Sequence, residues 1–165
     1  MVGVIATQAT RRSVDDGVAA CWPSMDAQPP AAGDATPLPR LIVDAANVVG
    51  SVPDGWWLDR AGATERLRDT LASVARDGLA GGPGWLAEPP IEVVLVVEGA
   101  AREVAAVEGV RVVAADGSGD DAIVGLVRDE CPNRRCVVVT ADRELRARVT
   151  ALGADVLGPR AIRGR

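Results

Sequence analysis

The chain has 165 residues, and a hydrophobic share of 48% suits one domain with a single buried core. Histidine and lysine are both absent, which excludes nucleophilic triads that need histidine, histidine-based metal sites and lysine-dependent P-loops. The net charge of −5 argues against a nucleic-acid binder that works by bulk charge. The charge is uneven, because residues 131–165 carry eight arginines and three acidic residues, which leaves +5, and the preceding residues carry −10.

Residues 1–39 are rich in Ala, Pro, Asp and Gly and show no sustained helical or strand period, so they are predicted to form a disordered tail before a domain at 40–165. An alternative start at Met25 would leave residues 1–24 untranslated. The first residues contain no basic leader and only a short apolar run, so neither a signal peptide nor a membrane span is expected.

The three cysteines, at positions 21, 131 and 136, are odd in number and lack the paired spacing of zinc sites. They are therefore expected to be reduced thiols in a cytoplasmic protein.

From residue 40 the pattern alternates between strands and helices. A strand at 41–44, a PDGWW loop, a helix at about 59–77, a Gly/Pro loop at 79–90 and a strand at 91–97 predict a βαβ unit. The remaining predicted elements are a short helix near 101–107, a strand at 110–114, a helix at 120–130, a strand at 136–140, a helix at 143–152 and a strand near 155–157. This alternation indicates an α/β fold with a central parallel sheet flanked by helices.

Each of four segments places a carboxylate just after an apolar strand: LIVDAAN, VVLVVEG, VRVVAADGSGDD and CVVVTAD. In a parallel sheet the carboxyl ends of the strands share one edge, so Asp44, Glu98, Asp120 and Asp142 are expected to meet there. Carboxylates in one cleft repel one another, and without histidine or thiolate ligands the usual relief is Mg²⁺ or Mn²⁺.

Asp44 ends the first strand and needs a partner or a metal if it is buried, although a turn or cap role is an alternative. Asn47 could orient water, contact a phosphate oxygen or simply bond the local backbone. Glu98 is a secondary candidate, as an outer ligand or base, and a solvated loop residue is its alternative.

Ser118 to Asp121 fits a capping box at the start of a helix, so Asp121 is either a cap partner or a metal ligand. Asp120 would then point elsewhere and could bind a cation beside Asp44. Asp142 is a candidate ligand whose alternative role is the N-cap of the helix at 143–152.

The candidate substrate-binding residues are Ser118, Arg143, Arg146, Trp56 and Trp57. The two arginines could contact phosphates, and the adjacent tryptophans could stack on bases or cover the first helix.

The segments LIVDAANVVGSVPDGWW, ADGSGDDAIV and VVVTADRELRARVTALGADVLGPR resemble three motifs of the NYN branch of the PIN-like nuclease superfamily, in particular small bacterial stand-alone domains. The resemblance spans residues 40–160. It implies a sheet order of 3-2-1-4-5 and metal-dependent cleavage of RNA, with Asp44, Asp120 and Asp142 as the acidic set and Asn47 as the signature asparagine.

The sequence thus predicts a ribonuclease that uses Mg²⁺ or Mn²⁺. The chain differs from the family at Ala45, where a glycine is usual, and at Val124, where many relatives have another acid. A non-catalytic RNA-binding or adaptor domain is the alternative that the absence of this acid favours. The sequence leaves open the RNA substrate and the oligomeric state, including a homodimer.

Overall fold

The computed structural model describes residues 37–163 of the chain. Its centre is a five-stranded sheet in the order β3-β2-β1-β4-β5, in which all neighbouring strands are parallel. The strands are β1 Arg40–Asp44, β2 Glu92–Val97, β3 Val110–Ala114, β4 Cys136–Val139 and β5 Asp155–Leu157. The expected α/β class and the PIN-like sheet order of 3-2-1-4-5 are both confirmed.

Helices cover both faces of this sheet. They are α1 Ala45–Gly50, α2 Arg60–Asp77, α3 Gly84–Ala87, α4 Gly119–Glu130, α5 Arg143–Ala151 and α6 Arg160–Arg163, and a single 3₁₀ turn lies at Gly99–Ala101. Among the described residues no helix combines the length and the apolar character needed to cross a membrane.

The alternation of side chains along each strand divides the core into two layers. On β1, Leu41 and Val43 pack in the layer under α1, α2, α3 and α6. Ile42 packs in the opposite layer, under α4 and α5. Because both faces are buried, the central strands need apolar residues at every position, which explains the unbroken apolar runs in the sequence.

The predicted helix near 101–107 is wrong. Only the turn at Gly99–Ala101 is helical there. Val107 and Val110 instead exchange backbone hydrogen bonds across a tight reversal at Gly109. Gly109 has a φ of 80°, a backbone conformation that glycine adopts without steric cost. A helix through Val107 would remove these bonds.

Three short helices were not predicted, namely α1, α3 within the predicted Gly/Pro loop, and α6. The predicted tail of residues 1–39 lies outside the described residues except for 37–39, which have no regular structure. Cys21 and the alternative start at Met25 also lie outside them.

Candidate functional site

Asp44 lies at the carboxyl end of the central strand β1 and is only 8% exposed. Its Oδ1 accepts a hydrogen bond from the backbone N–H of Asn47 at 3.0 Å and so caps the N-terminus of α1. Its Oδ2 accepts a hydrogen bond from the hydroxyl of Thr140 at 3.0 Å. The cap role is therefore present, and it leaves each carboxylate oxygen with capacity for a further partner.

Thr140, which sequence reasoning did not single out, links the ends of the two central strands. Val43 is in register with Val139, so Thr140 follows β4 beside Asp44. Its buried hydroxyl donates to Asp44 and accepts from the backbone N–H of Asp142 at 3.1 Å. A threonine that ends an apolar strand directly before an Ala-Asp pair is the signal that could have indicated it.

Asp142 is the N-cap of α5, where its Oδ1 accepts from the backbone N–H of Leu145 at 2.8 Å. This agrees with the capping alternative. Oδ2 of Asp142 accepts no hydrogen bond within residues 37–163, so one oxygen of the carboxylate stays available at the sheet edge.

The side chain of Asn47 does not bond the local backbone, which was the alternative to a functional role. Its Oδ1 accepts from the backbone N–H of Ala141 at 2.8 Å, a contact that joins α1 to the loop between β4 and α5. Its side-chain amino group donates no bond to the part of the chain that the structure describes. The side chain therefore ties two site segments together and keeps donors for another partner.

Glu98 holds the segment that carries Asp120. Its Oε2 accepts from the backbone N–H of Gly119 at 2.7 Å, the first residue of α4. A Cβ atom added at Gly119 would lie 2.9 Å from this oxygen, so a larger residue would disturb the bond. The expected capping box is wrong, because the exposed Ser118 makes no side-chain capping bond and Glu98 takes that role.

Asp120 lies in the first turn of α4, half-buried, and its carboxylate accepts no hydrogen bond from the described residues. Burial raises its pKa, and the negative charge of Asp142 adds to the rise, while Arg148 opposes it. The pKa of Asp44 is raised in the same way, first by burial and then by the charges of Asp120 and Glu98, despite two hydrogen bonds that lower it. Asp44, Glu98 and Asp120 thus lie close enough together to repel one another, and Asp142 lies close enough to repel Asp120.

We call Asp44, Glu98, Asp120 and Asp142 the acidic site. Asp121 differs from these residues, because it is exposed and its Oδ1 accepts from Arg148 at 2.6 Å in an ion pair between α4 and α5. Val124, one turn after Asp120, is 5% exposed and packs in the core.

The donor chemistry of the acidic site suits a hard divalent cation, since every available side-chain ligand is a carboxylate oxygen. Among residues 37–163, however, no three such side chains are close enough to enclose a metal ion by themselves. A cation at this site would have to keep several waters between itself and the protein, as Mg²⁺ commonly does.

The other candidate substrate-binding residues differ in exposure. Trp56 is half-buried, packs against the core and lies under the guanidinium of Arg60, 5.0 Å from its ring centre. Trp57 is 55% exposed and meets Trp56 edge to face. Arg143 and Arg146 are exposed on the first turns of α5 and form no ion pair with the described residues.

The fold and the site define a three-layer α/β protein with the sheet order 3-2-1-4-5 and with acidic side chains at the carboxyl edge of its parallel sheet. The same architecture is found in Rae1 (YacP) from Bacillus subtilis. Its crystal structure matches with a TM-score of 0.57 and 17% sequence identity over 75% of this chain and 71% of that chain. A mutant of Rae1 matches with a TM-score of 0.52 and 19% identity over 74% and 70% of the two chains. At these identities the likeness shows a shared fold. No family model and no curated protein matches the sequence.

Proposed function

We propose that this protein is a metal-dependent ribonuclease that hydrolyses RNA phosphodiesters at the acidic site. The observation that carries the proposal is the repulsion within this site, which raises the pKa of Asp44 and Asp120 through burial and through the neighbouring carboxylates. Repulsion of this kind is relieved when a divalent cation binds. RNA as the substrate follows from the resemblance to NYN domains and is compatible with the fold shared with Rae1.

Asp120 and Asp142 have the most capacity to hold a cation, because the first accepts no hydrogen bond and the second has a free Oδ2 within the described residues. Asp44 is buried and is held by hydrogen bonds from Asn47 and Thr140, and its remaining lone pairs can accept from water or coordinate a metal ion. When bound, Mg²⁺ or Mn²⁺ would stabilise charge on the phosphodiester oxygens and provide a nucleophile from water at neutral pH.

The residues around the acidic site bind and orient the substrate in this proposal. The side-chain amino group of Asn47 donates to a phosphate oxygen or to water while its oxygen stays on Ala141. Arg143 and Arg146 follow directly after Asp142 and supply guanidinium donors for phosphates. Trp57 offers an exposed ring on which a base can stack.

A reducing compartment such as the bacterial cytoplasm fits this function. Cys131 and Cys136 are free thiols, which is the ordinary state of cysteine in that compartment.

A non-catalytic RNA-binding or adaptor domain is the second candidate. Two observations favour it: Val124 is buried in the core where an additional acid is common in the resembled family, and no three ligand side chains enclose a metal within residues 37–163. In this case the acidic site would not bind a metal ion.

Metal-dependent thermal stabilisation separates the two candidates. A cation that binds only the folded protein stabilises it by about 2.7 kcal/mol at a hundredfold excess over Kd. We expect Mn²⁺ to raise the Tm of the wild type and of Asp129→Asn, a matched change at an exposed position near the far end of α4. Asp120→Asn should lose most of the shift. Equal shifts in all three proteins, or none, would favour the adaptor.

A further inference from the structure

A cleft of about 1120 Å³ opens between α2, α6 and the loop after α1. Its wall includes Ala141, whose neighbour Asp142 belongs to the acidic site and whose N–H is bound by Asn47. The cleft is therefore continuous with the segment that joins β4 to α5. We call it the arginine cleft, because Arg66, Arg160 and Arg163 line it.

The arginine cleft is positively charged in a protein whose net charge is −5. Asp54 is the acid among its lining residues, and its carboxylate is neutralised by Arg163 at 3.0 Å. Arg66 lies 3.9 Å from Asp59, but both side chains are mostly exposed, so this contact leaves the guanidinium available. Arg160 is exposed and pairs with no acid among the described residues. Two guanidiniums are thus free to bind an anion.

The wall contains a buried donor without an acceptor. Arg163 donates through its terminal nitrogens to Asp54 and to the backbone oxygen of Val49, whereas its Nε is buried and has no partner among the described groups. Buried donors are nearly always satisfied in folded proteins, by water or by a ligand if not by the chain. A bound water satisfies this atom as well as a ligand does, so the anion-binding groups of the cleft are Arg66 and Arg160.

The remaining lining suits the sugar and base of a nucleotide. Val52 offers an exposed apolar contact beside the buried Leu67 and Ile162. The hydroxyls of Ser51 and Thr70 already donate to backbone oxygens and can still accept a hydrogen bond. The volume exceeds the range of about 300–1,000 Å³ that encloses a single small ligand. An open cleft with separate arginines matches an extended polymer better than one enclosed nucleotide.

We propose that the arginine cleft binds single-stranded RNA next to the acidic site, with Arg66 and Arg160 on backbone phosphates and the sugars and bases against the apolar wall. This inference rests on the proposed function only in taking RNA as the polymer. The arginine cleft would position the strand so that the adjoining phosphodiester reaches the acidic site.

The test measures binding of a fluorescently labelled single-stranded RNA oligonucleotide in EDTA, where no cleavage interferes. The double variant Arg66→Gln with Arg160→Gln should bind about tenfold more weakly. The slope of log Kd against log salt should fall by about 1.4, since each lost phosphate contact removes about 0.7 for a single strand. Both side chains are exposed, and an unchanged Tm confirms that the variant folds.

The matched control is Arg76→Gln with Arg128→Gln, which removes the same charge at exposed positions in the last turns of α2 and α4. It should keep wild-type affinity. Equal affinity of the two double variants, or no RNA binding by the wild type, would overturn the inference.

The two proposals fail independently. If RNA binds through Arg66 and Arg160 but is never cleaved, the proposed RNA-binding cleft stands and the proposed ribonuclease activity is wrong. If the wild type cleaves RNA with a metal ion but the double variant binds RNA normally, the proposed ribonuclease activity stands and the proposed RNA-binding cleft is wrong.

Discussion

Thr140 is the residue that connects the acidic site to the core. Its buried hydroxyl bonds both Asp44 and the backbone N–H of Asp142, so Thr140→Val would leave one buried acceptor and one donor without a partner. We expect this change to lower the free energy of unfolding by about 1–3 kcal/mol. Urea unfolding in EDTA measures the loss.

Thr140→Ser is the matched control for this experiment, because it keeps the hydroxyl and removes only a methyl group. It should retain more stability than Thr140→Val. If the valine variant were the more stable of the two, the hydrogen bonds of Thr140 would not stabilise the site.

The residues of the acidic site could be predicted from the sequence to a large extent, because carboxylates that follow parallel strands must share an edge. Asp44 and Asp120 do lie close enough to each other and to Glu98 for these charges to raise both pKa values, and Asp142 acts in the same way on Asp120. The bond between Thr140 and Asp44 could not be predicted, because it depends on the register between β1 and β4, which local sequence does not specify.

At the level of elements, α4 depends on an acceptor from a distant loop. Glu98 accepts from the first N–H of α4 at 2.7 Å, and its negative charge also repels Asp44 and Asp120. Glu98→Gln should keep the bond and relieve the repulsion, so we expect it to be at least as stable as the wild type. Glu98→Ala should lie below Glu98→Gln by about 1 kcal/mol, a typical value for a lost helix cap.

Thermal unfolding in EDTA compares these two variants of Glu98. Alanine and glutamine variants of equal stability would show that the contact with Gly119 does not hold the start of α4.

The long elements could be predicted because their apolar patterns extend over several residues. The predicted strand at 110–114 matches β3, and the predicted helix at about 59–77 matches α2 within one residue. By contrast, α1 has six residues and α6 has four, too few for a helical period to emerge. The segment after Gly99 has helical composition but is shaped by the reversal at Gly109.

At the scale of the described domain, acidic side chains have different surroundings at the two edges of the sheet. Arginines pair with them at the amino edge. At the amino edge, Arg40 bonds both Glu92 and Glu130, and Arg134 bonds Glu92 at 2.5 Å. Burial alone would raise the pKa of Glu92, but its bonds to Arg40 and Arg134 outweigh burial and lower it. The pKa of Glu130 is lowered for the same reason, mainly through Arg111 and Arg40. The carboxyl edge holds the repelling acids instead.

These shifts predict two pH dependences of opposite sign. Glu92 has a folded pKa below the ordinary value of 4.5, so its stabilisation is present above that value and is lost as the pH falls through the folded pKa. Asp120 has a raised folded pKa, so its ionised form destabilises the protein at higher pH and the cost disappears as the pH falls.

Urea unfolding between about pH 6 and about pH 3 in EDTA tests both signs. Glu92→Gln should be less stable than the wild type at the upper end, and Asp120→Asn should be more stable, by up to about 0.5 kcal/mol. Both differences should shrink toward the lower end. A difference that does not change with pH would contradict the corresponding shift.

The most direct test of the central claim is cleavage of a mixed pool of single-stranded and structured RNA by the purified protein with Mg²⁺, Mn²⁺ or EDTA. Asp120→Asn removes a site carboxylate that accepts no hydrogen bond from residues 37–163, and Asp129→Asn makes the same change elsewhere on α4. We expect cleavage that requires a metal ion, persists in Asp129→Asn and falls at least about a hundredfold in Asp120→Asn. Cleavage that survives in EDTA or equally in both variants, or no cleavage by the wild type, would contradict a metal-dependent ribonuclease at the acidic site.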